Sequence, residues 1–170
     1  MKSENLKKLV VSGMLTALIV VLSGFYIPVG ASKCFPIQHM VNILAAVLLG
    51  PWWGVGIAFC ASLIRNLMGT GTLLAFPGSM VGALVCGLVF DRTKKLLPTC
   101  IGEVVGTGVL GGMLAYPLAA YVLGKDAALF TYVLPFLVST AGGTILAAIL
   151  VMVLSRTHAI GYLRGLLANS

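Results

Sequence analysis

The residues of this chain that could take part in chemistry are few, and several stand at the ends of apolar segments. His39 and Asn42 are three residues apart, so a helix would place both side chains on one face. Arg65 and Asn66 end the next apolar segment, and Ser79 opens the one after it. Imidazole, amide, guanidinium and hydroxyl groups can donate and accept hydrogen bonds to one small molecule. The set therefore predicts a ligand-binding site at a single depth.

Aromatic residues accompany these polar groups and suit the binding of a flat ring. Phe76 lies three residues before Ser79, and Tyr116 lies in a later apolar segment. Tyr132, Phe136 and Ser139 follow three- and four-residue spacing, which places them on one helical face. These aromatics could also be interfacial belt residues. We expect a pocket with aromatic walls and few hydrogen-bonding groups.

Glu103 is a carboxylate within an apolar segment, where an unpaired charge is costly. It lies about one turn beyond Pro98, which predicts a position near the cytoplasmic surface, either in the pocket or in a first turn favoured by the helix dipole. This depth would put Glu103 and His39 toward opposite faces, beyond hydrogen-bond reach. The separation counts against a membrane-embedded enzyme that uses the two as acid and base.

Apolar residues make up 59% of the 170-residue chain and charged residues only 9%, a composition typical of an integral membrane protein. Segments of roughly 20 apolar residues are expected to span the bilayer as helices, because lipid offers the backbone no other hydrogen-bond partner. The chain leaves no room for a soluble domain, so residues 1–170 are predicted to form one transmembrane domain. The predicted spans are residues 9–29, 38–50, 52–67, 74–90, 99–123 and 127–154.

The distribution of basic residues orients this six-helix bundle. Cytoplasmic loops collect Lys and Arg, and eight of the eleven such residues fall on the side of the termini. These eight are Lys2, Lys7, Lys8, Arg92, Lys94, Lys95, Arg156 and Arg164, against Lys33, Arg65 and Lys125 on the other side. Both termini are therefore predicted to be cytoplasmic. Anchoring explains the net charge of +7, and no nucleic-acid partner is expected.

Four other features of the sequence indicate structural roles. The basic start followed by an apolar run could be a secretory signal, but the run nearly spans a bilayer and lacks a clear cleavage site. Four cysteines without paired spacing predict neither a metal site nor a disulfide. Segment 38–50 is short for a span, so it could begin deep beneath an inward-folded external loop and leave a buried pocket. Gly13 and Ala17 form a small face that packs against another helix, within the chain or in a partner.

Three sequence segments resemble the substrate-binding S components of energy-coupling factor (ECF) vitamin transporters, and within them the ThiW family. They are FPIQHMVNILAAVLLGP at 35–51, GTGTLLAFPGSMVGALVCGLVF at 69–90 and GEVVGTGVLGG at 102–112. The resemblance implies six membrane helices with cytoplasmic termini, a pocket open to the outside, and a first external loop, residues 30–37, that acts as its lid. It implies uptake of hydroxyethylthiazole, the thiazole moiety of thiamin.

The resemblance also implies partners. S components dock on a transmembrane coupling subunit, driven by two ATPase subunits, through an AxxxA face on the first helix. The matching positions here are Gly13 and Ala17. No cofactor is expected, and the predicted location is the prokaryotic plasma membrane.

Our hypothesis from the sequence is thus a non-enzymatic subunit that captures hydroxyethylthiazole outside. Its alternatives are an S component for thiamin or another small heterocyclic vitamin, a small membrane enzyme, and a subunit without a ligand. The candidate ligand-binding residues are His39, Asn42, Arg65, Asn66, Phe76, Ser79, Glu103, Tyr116, Tyr132, Phe136 and Ser139.

Overall fold

The computed structural model describes residues 3–29, 32–124, 126 and 128–168, except for the side chains of Ser3, Val29, Ser32, Lys33 and Ala168. This part of the chain forms seven helices and one two-stranded hairpin. In chain order they are α1 (Ser3–Val21), β1 (Ile27–Val29), β2 (Ser32–Cys34), α2 (Pro36–Leu48), α3 (Pro51–Leu67), α4 (Ala75–Thr93), α5 (Leu96–Val122), α6 (Val133–Arg156) and α7 (Ala159–Ala168).

The prediction of a mostly helical membrane protein is confirmed in its coarse form. Four helices in the described ranges are long and apolar enough to cross a bilayer: Glu4–Gly24, Ala75–Thr93, Leu96–Val122 and Val133–Arg156. Helices α2 and α3 are shorter, with 13 and 17 residues. The seventh helix, α7, was not among the six predicted, because its ten residues follow the last long apolar segment.

The first predicted span was wrong at its end. Helix α1 stops at Val21 and continues only as a short 3₁₀ turn over Leu22–Gly24. The apolar residues that follow belong instead to the β1–β2 hairpin, in which Ile27 pairs with Cys34. Residues 30 and 31 of the predicted lid lie outside the described residues. Two of the basic residues used to predict the orientation, Lys2 and Lys125, also lie outside them.

Helix α2 forms the centre of the bundle. It packs against α4 and α6 on two sides and also contacts α3, and ten of its thirteen residues are buried. Pro36 starts the helix, a position where a missing N–H costs nothing. At the other end Gly50 adopts a positive φ of 91°, which only glycine takes readily, and Pro51 then starts α3. A short helix is thus fixed at both ends by sequence.

Helices α4 and α5 approach each other so closely that small residues are required between them. A Cβ at Gly111 would lie 2.5 Å from Cα of Gly78, and a Cβ at Gly106 would lie 3.0 Å from Cα of Gly82. Small residues permit such close packing in lipid, where dispersion contacts replace the hydrophobic effect. In this region α5 winds more loosely, with π-type turns over Val104–Gly111 and Leu118–Val122.

The first and last helices of the described chain meet at one end of the bundle. Lys7 Nζ donates to the carbonyl of Leu166 at 3.1 Å, and Arg164 Nε donates to the carbonyl of Val47 at 2.9 Å. Helix α7 therefore closes the bundle end where α1 begins and α2 stops. The hairpin lies at the opposite end, where Cys34 Sγ lies 3.2 Å from the carbonyl of Pro135 near the start of α6.

Candidate binding pocket

A cavity lies beneath the hairpin, between the starts of α2, α4 and α6, the end of α3 and the middle of α5, and the centre of a water-sized sphere can occupy about 50 Å³ of it. Five of the predicted site residues are part of its wall: His39, Arg65, Ser79, Phe136 and Ser139. The other lining residues are Phe35, Gln38, Thr72, Ala75, Thr107 and Pro135.

A chain of three hydrogen-bonding side chains supports one wall of the cavity. His39 Nδ1 lies 2.9 Å from Glu103 Oε1, and His39 Nε2 lies 3.0 Å from Ser139 Oγ. Ser139 Oγ in turn accepts the backbone N–H of Phe35 at 2.8 Å. One consistent assignment has Nδ1–H donate to Glu103 and Nε2 accept the Ser139 hydroxyl proton. The imidazole is therefore held on both sides and presents its ring to the cavity.

The predicted separation of His39 from Glu103 was wrong, because α2 is short and begins deep. His39 lies nine residues before the end of α2, a rise of about 13 Å, and Glu103 lies seven residues after the start of α5, about 10 Å. Leu48 and Leu96, at those two ends, pack around the same buried cluster. The two side chains therefore reach the same depth. Glu103 is fully buried and does not lie in an exposed first turn.

Three donors converge on one oxygen of Glu103. Besides His39, Asn42 Nδ2 lies 3.0 Å from Glu103 Oε1 and Thr107 Oγ1 lies 2.9 Å from it. Asn42 Nδ2 also donates to the carbonyl of Ser79 at 3.1 Å. Charge-assisted hydrogen bonds of this kind offset the desolvation of a buried carboxylate. Neither Asn42 nor Glu103 is part of the cavity wall; both lie behind it and hold the side chains that are.

Asn66 and Ser79 occupy different surroundings, although both were predicted to contact ligand. Ser79 is buried in the wall, where its Oγ donates to the carbonyl of Ala75 at 2.7 Å and lies 3.1 Å from Ser62 Oγ. Asn66 Nδ2 instead donates to the carbonyls of Ser62 and Thr72, at 2.8 and 3.1 Å. Asn66 thus ties the α3–α4 loop to the end of α3.

Arg65 is the most buried charged side chain of the wall, with 1% of its surface exposed. Its Nη1 donates to Gln38 Oε1 at 3.3 Å, and its Cζ lies 3.9 Å from the centre of the Phe35 ring. The hairpin brings Phe35 into this position, because Cys34 contacts α6 immediately before it. Burial there also raises the pKa of the Cys34 thiol. The guanidinium therefore faces the cavity rather than extending to the membrane surface.

The remaining predicted aromatics lie outside the cavity wall. Phe76 packs edge-on against Phe59, with ring centres 5.7 Å apart, and Tyr116 makes a similar contact with Tyr121 at 6.5 Å. Tyr132 is buried in an apolar cluster at the starts of α4 and α6, beside Phe136. Of the predicted aromatics, only Phe136 lines the cavity.

Gly13 and Ala17 are exposed on the outer side of α1. No described atom lies within 4 Å of the position that a Cβ would take at Gly13. The small face is thus open in the described part of the chain, and no helix of the bundle covers it.

The sequence model of a family described as a thiamine-precursor transporter protein (ThiW) matches residues 9–157. The chain belongs to the ThiW family. The family predicted by the three sequence segments is thereby confirmed, and with it the assignment to transport rather than to catalysis. A search of curated proteins gave no match.

The fold of this ThiW family chain is similar to a solved structure described as the S-component for biotin from an ECF-type ABC transporter. The TM-score is 0.66, and the alignment covers 94% of each chain. The sequences are only 18% identical, so the likeness concerns the fold. The ThiW chain is therefore a membrane protein with the S-component architecture.

Sequence reasoning missed several residues of the wall in this ThiW chain. Gln38 and Asn42 are four apart, as are Glu103 and Thr107, so each pair shares a helical face. That spacing could have indicated Gln38 and Thr107. Phe35 gave no such signal, because its place in the wall depends on the hairpin.

Proposed function

We propose that this chain is the substrate-binding subunit of an ECF-type transporter, which captures hydroxyethylthiazole outside the cell for ATP-driven uptake. One observation carries the proposal: a cavity beneath the hairpin combines polar side chains with apolar and aromatic groups in its wall. Membership of a thiamine-precursor transporter family supports a thiamin-related ligand. Thiamin itself or another small heterocyclic vitamin is the alternative.

Within the cavity we propose different roles for the candidate residues. His39, Arg65, Ser79, Phe136 and Ser139 contact the ligand, since all five line the wall. Asn42 and Glu103 act indirectly, because their hydrogen bonds fix His39 and Thr107. Asn66 holds the adjacent loop, and three aromatics pack outside the wall: Phe76, Tyr116 and Tyr132.

We further propose that helices α1 to α6 cross the plasma membrane of a prokaryotic cell, with both termini in the cytoplasm. The excess of Lys and Arg at the end of the bundle where the termini meet supports this orientation. Helices α2 and α3 can contribute spans despite their length, because the hairpin and the α3–α4 loop cover the depth they leave free. The cavity would then face the exterior.

The coupling module in this proposal comprises a transmembrane subunit and two ATPase subunits. The exposed Gly13 and Ala17 face supports a docking surface on α1, since small residues let a partner helix approach closely in lipid. This face and the cavity occupy different parts of the molecule, so binding and coupling should be separable by mutation.

Ligand capture is tested by calorimetry and by mass spectrometry of small molecules retained on the purified protein. We expect heat with hydroxyethylthiazole at micromolar concentration, and lower retention in His39→Ala and Asn42→Ala variants. The absence of heat with both hydroxyethylthiazole and thiamin would refute the proposal.

Coupling is tested by uptake in cells that contain the whole transporter. Gly13→Leu should impair uptake and leave ligand binding intact, because the added side chain blocks only the outer face of α1. Gly56→Leu makes the same change on the exposed side of α3, where no described atom lies within 4 Å, and should preserve both activities. Loss of ligand binding in Gly13→Leu would contradict the separation of the two surfaces.

A further inference from the structure

The wall of the cavity carries a fixed positive charge whose hydrogen-bonding capacity is largely unused. Arg65 donates one N–H to Gln38, and the Phe35 ring covers one face of its guanidinium. Within the described residues, its Nε and Nη2 have no hydrogen-bond acceptor, although the side chain is only 1% exposed. A cation–π contact occupies the face of the group and leaves these in-plane donors free.

Gln38 adds a further unused donor to the same wall. Its Oε1 accepts from Arg65, which fixes the amide so that Nε2 is directed elsewhere. Nε2 has no acceptor in the part of the chain that the structure describes, and the residue is 3% exposed. Two neighbouring side chains of the cavity thus offer only donors. Buried donors without partners are costly, so a site with several of them is complete only when an acceptor group is bound.

The charge of Arg65 is not balanced by a carboxylate of the described chain. The described ion pairs join Lys8 to Glu4, His39 to Glu103 and Lys94 to Asp91, and none includes Arg65. Glu103 lies behind the wall, where three donors already converge on one of its oxygens. The residues that line the cavity therefore bring one guanidinium and no acidic side chain.

We infer that the cavity holds its ligand by an anionic group bound to Arg65 and Gln38, so that the preferred substrate is an anionic thiazole rather than the neutral alcohol. This inference rests on the proposed capture of a thiazole, and it changes the preferred ligand from hydroxyethylthiazole itself to an anionic thiazole. A phosphate monoester on the hydroxyethyl group and a carboxylate on the thiazole both supply the required oxygens. The planar guanidinium presents paired N–H groups that match either one.

The rest of the wall suits the uncharged part of such a ligand. Phe35, Ala75, Pro135 and Phe136 provide apolar surface, which can contact a thiazole ring. His39, Ser79 and Ser139 lie beside this surface, with both His39 ring nitrogens and both hydroxyl protons already in hydrogen bonds within the protein. The cavity thereby separates a cationic region from an apolar region, as a ring with an anionic substituent requires.

The test compares four compounds on the wild-type protein in detergent or nanodiscs: hydroxyethylthiazole, its phosphate monoester, a methylthiazole carboxylate and inorganic phosphate. We expect at least one anionic thiazole to bind more tightly than the alcohol by on the order of ten- to a hundredfold, the range for hydrogen bonds to a charged group. Inorganic phosphate should bind more weakly, because it lacks the ring. The phosphate and carboxylate arms decide which anion is preferred.

Variants then assign the preference to Arg65. Arg65→Gln should bring the anionic and neutral thiazoles to similar affinities, and Arg65→Lys should keep part of the difference. Arg92→Gln removes the same charge from an exposed position at the end of α4 and should leave the preference unchanged. If Arg65→Gln does not fold, the wild-type ratios alone still decide.

The possible failures are distinct. Equal or tighter binding of the neutral alcohol by the wild-type protein would overturn the anion inference and leave the proposed thiazole capture standing. Preserved anion preference in Arg65→Gln would also overturn it. No binding of any thiazole would refute the proposed function together with the inference that rests on it.

Discussion

Charged residues are arranged differently at the two ends of the bundle. At the end where α1 and α7 meet, a groove of about 590 Å³ is lined by acidic and basic side chains, and each acid of its wall bonds to a base three or four residues further along the chain. Lys8 bonds to Glu4, and Lys94 lies 3.2 Å from Asp91. Near the hairpin, Arg65 has no carboxylate partner among the described residues.

We interpret this difference as one between charges that are paired within the protein and a charge that is left for the proposed ligand. Local pairs three or four residues apart form in any helix and are worth little in contact with water. A buried guanidinium costs far more and needs a partner, either from the chain or from a bound ligand. Substitutions at the two ends of the bundle test this contrast.

Glu103→Ala should lower the free energy of unfolding by about 3 kcal/mol or more, because His39, Asn42 and Thr107 would lose a shared buried acceptor. Glu4→Ala removes an acid at the other end and should cost about 1 kcal/mol or less. Unfolding of the purified proteins in detergent measures both. Equal losses would show that the two ends do not differ as described.

Gly82→Ala should destabilise the protein by about 1–3 kcal/mol, because the new methyl group would overlap Thr107 Oγ1 and approach Glu103 Oε2 to 2.8 Å. Gly56→Ala is the matched control, since no described atom lies within 4 Å of its Cβ position. It should be neutral or slightly stabilising. The two variants are compared by their thermal unfolding midpoints. An unchanged midpoint in Gly82→Ala would contradict the close packing of α4 and α5.

Phe35→Leu should weaken ligand binding about three- to tenfold, because Arg65 would lose the aromatic face that holds it. The comparison is Phe90→Leu in the groove, where the Arg164 Cζ lies 4.9 Å from the ring centre. That change should leave affinity unaltered. Calorimetry with the best-bound thiazole distinguishes them; the same loss in both variants would point to general destabilisation.

Lys94→Ala should change the free energy of unfolding by about 0.5 kcal/mol or less and leave ligand affinity unchanged, because its pair with Asp91 is exposed. Denaturation and calorimetry on one preparation check both quantities. A large change in ligand affinity would mean that binding in the cavity is energetically coupled to the groove.

The family and the membrane class could be predicted from the sequence, because apolar length and three characteristic segments are local properties. The small outer face at Gly13 and the shortness of segment 38–50 were also visible in the residues. Helix α7 and the hairpin were not, since neither has a long apolar run or a strong turn signal. The predicted end of the first span was wrong because the apolar residues of the hairpin strand Ile27–Val29 follow α1 closely in the sequence.

The candidate site could be predicted only in part, because the sequence does not give the depth of each helix in the bundle. The sequence located His39, Arg65, Ser79, Phe136 and Ser139, all of which line the cavity. It separated Glu103 from His39 because depth was counted from a loop, whereas the deep start of α2 sets the level of His39. Contacts between helices depend on the depth at which each helix begins. The spacing of residues within one helix does not indicate that depth.

The absence of room for side chains between α4 and α5 restricts how a captured molecule can leave. Any shift that placed a side chain where Gly78 and Gly111 now meet would cause a clash, since even a Cβ at Gly111 would lie 2.5 Å from Cα of Gly78. We expect the pair to behave as a rigid unit. Under the proposed function, passage of the ligand into the cell would then require the other helices to part from this unit.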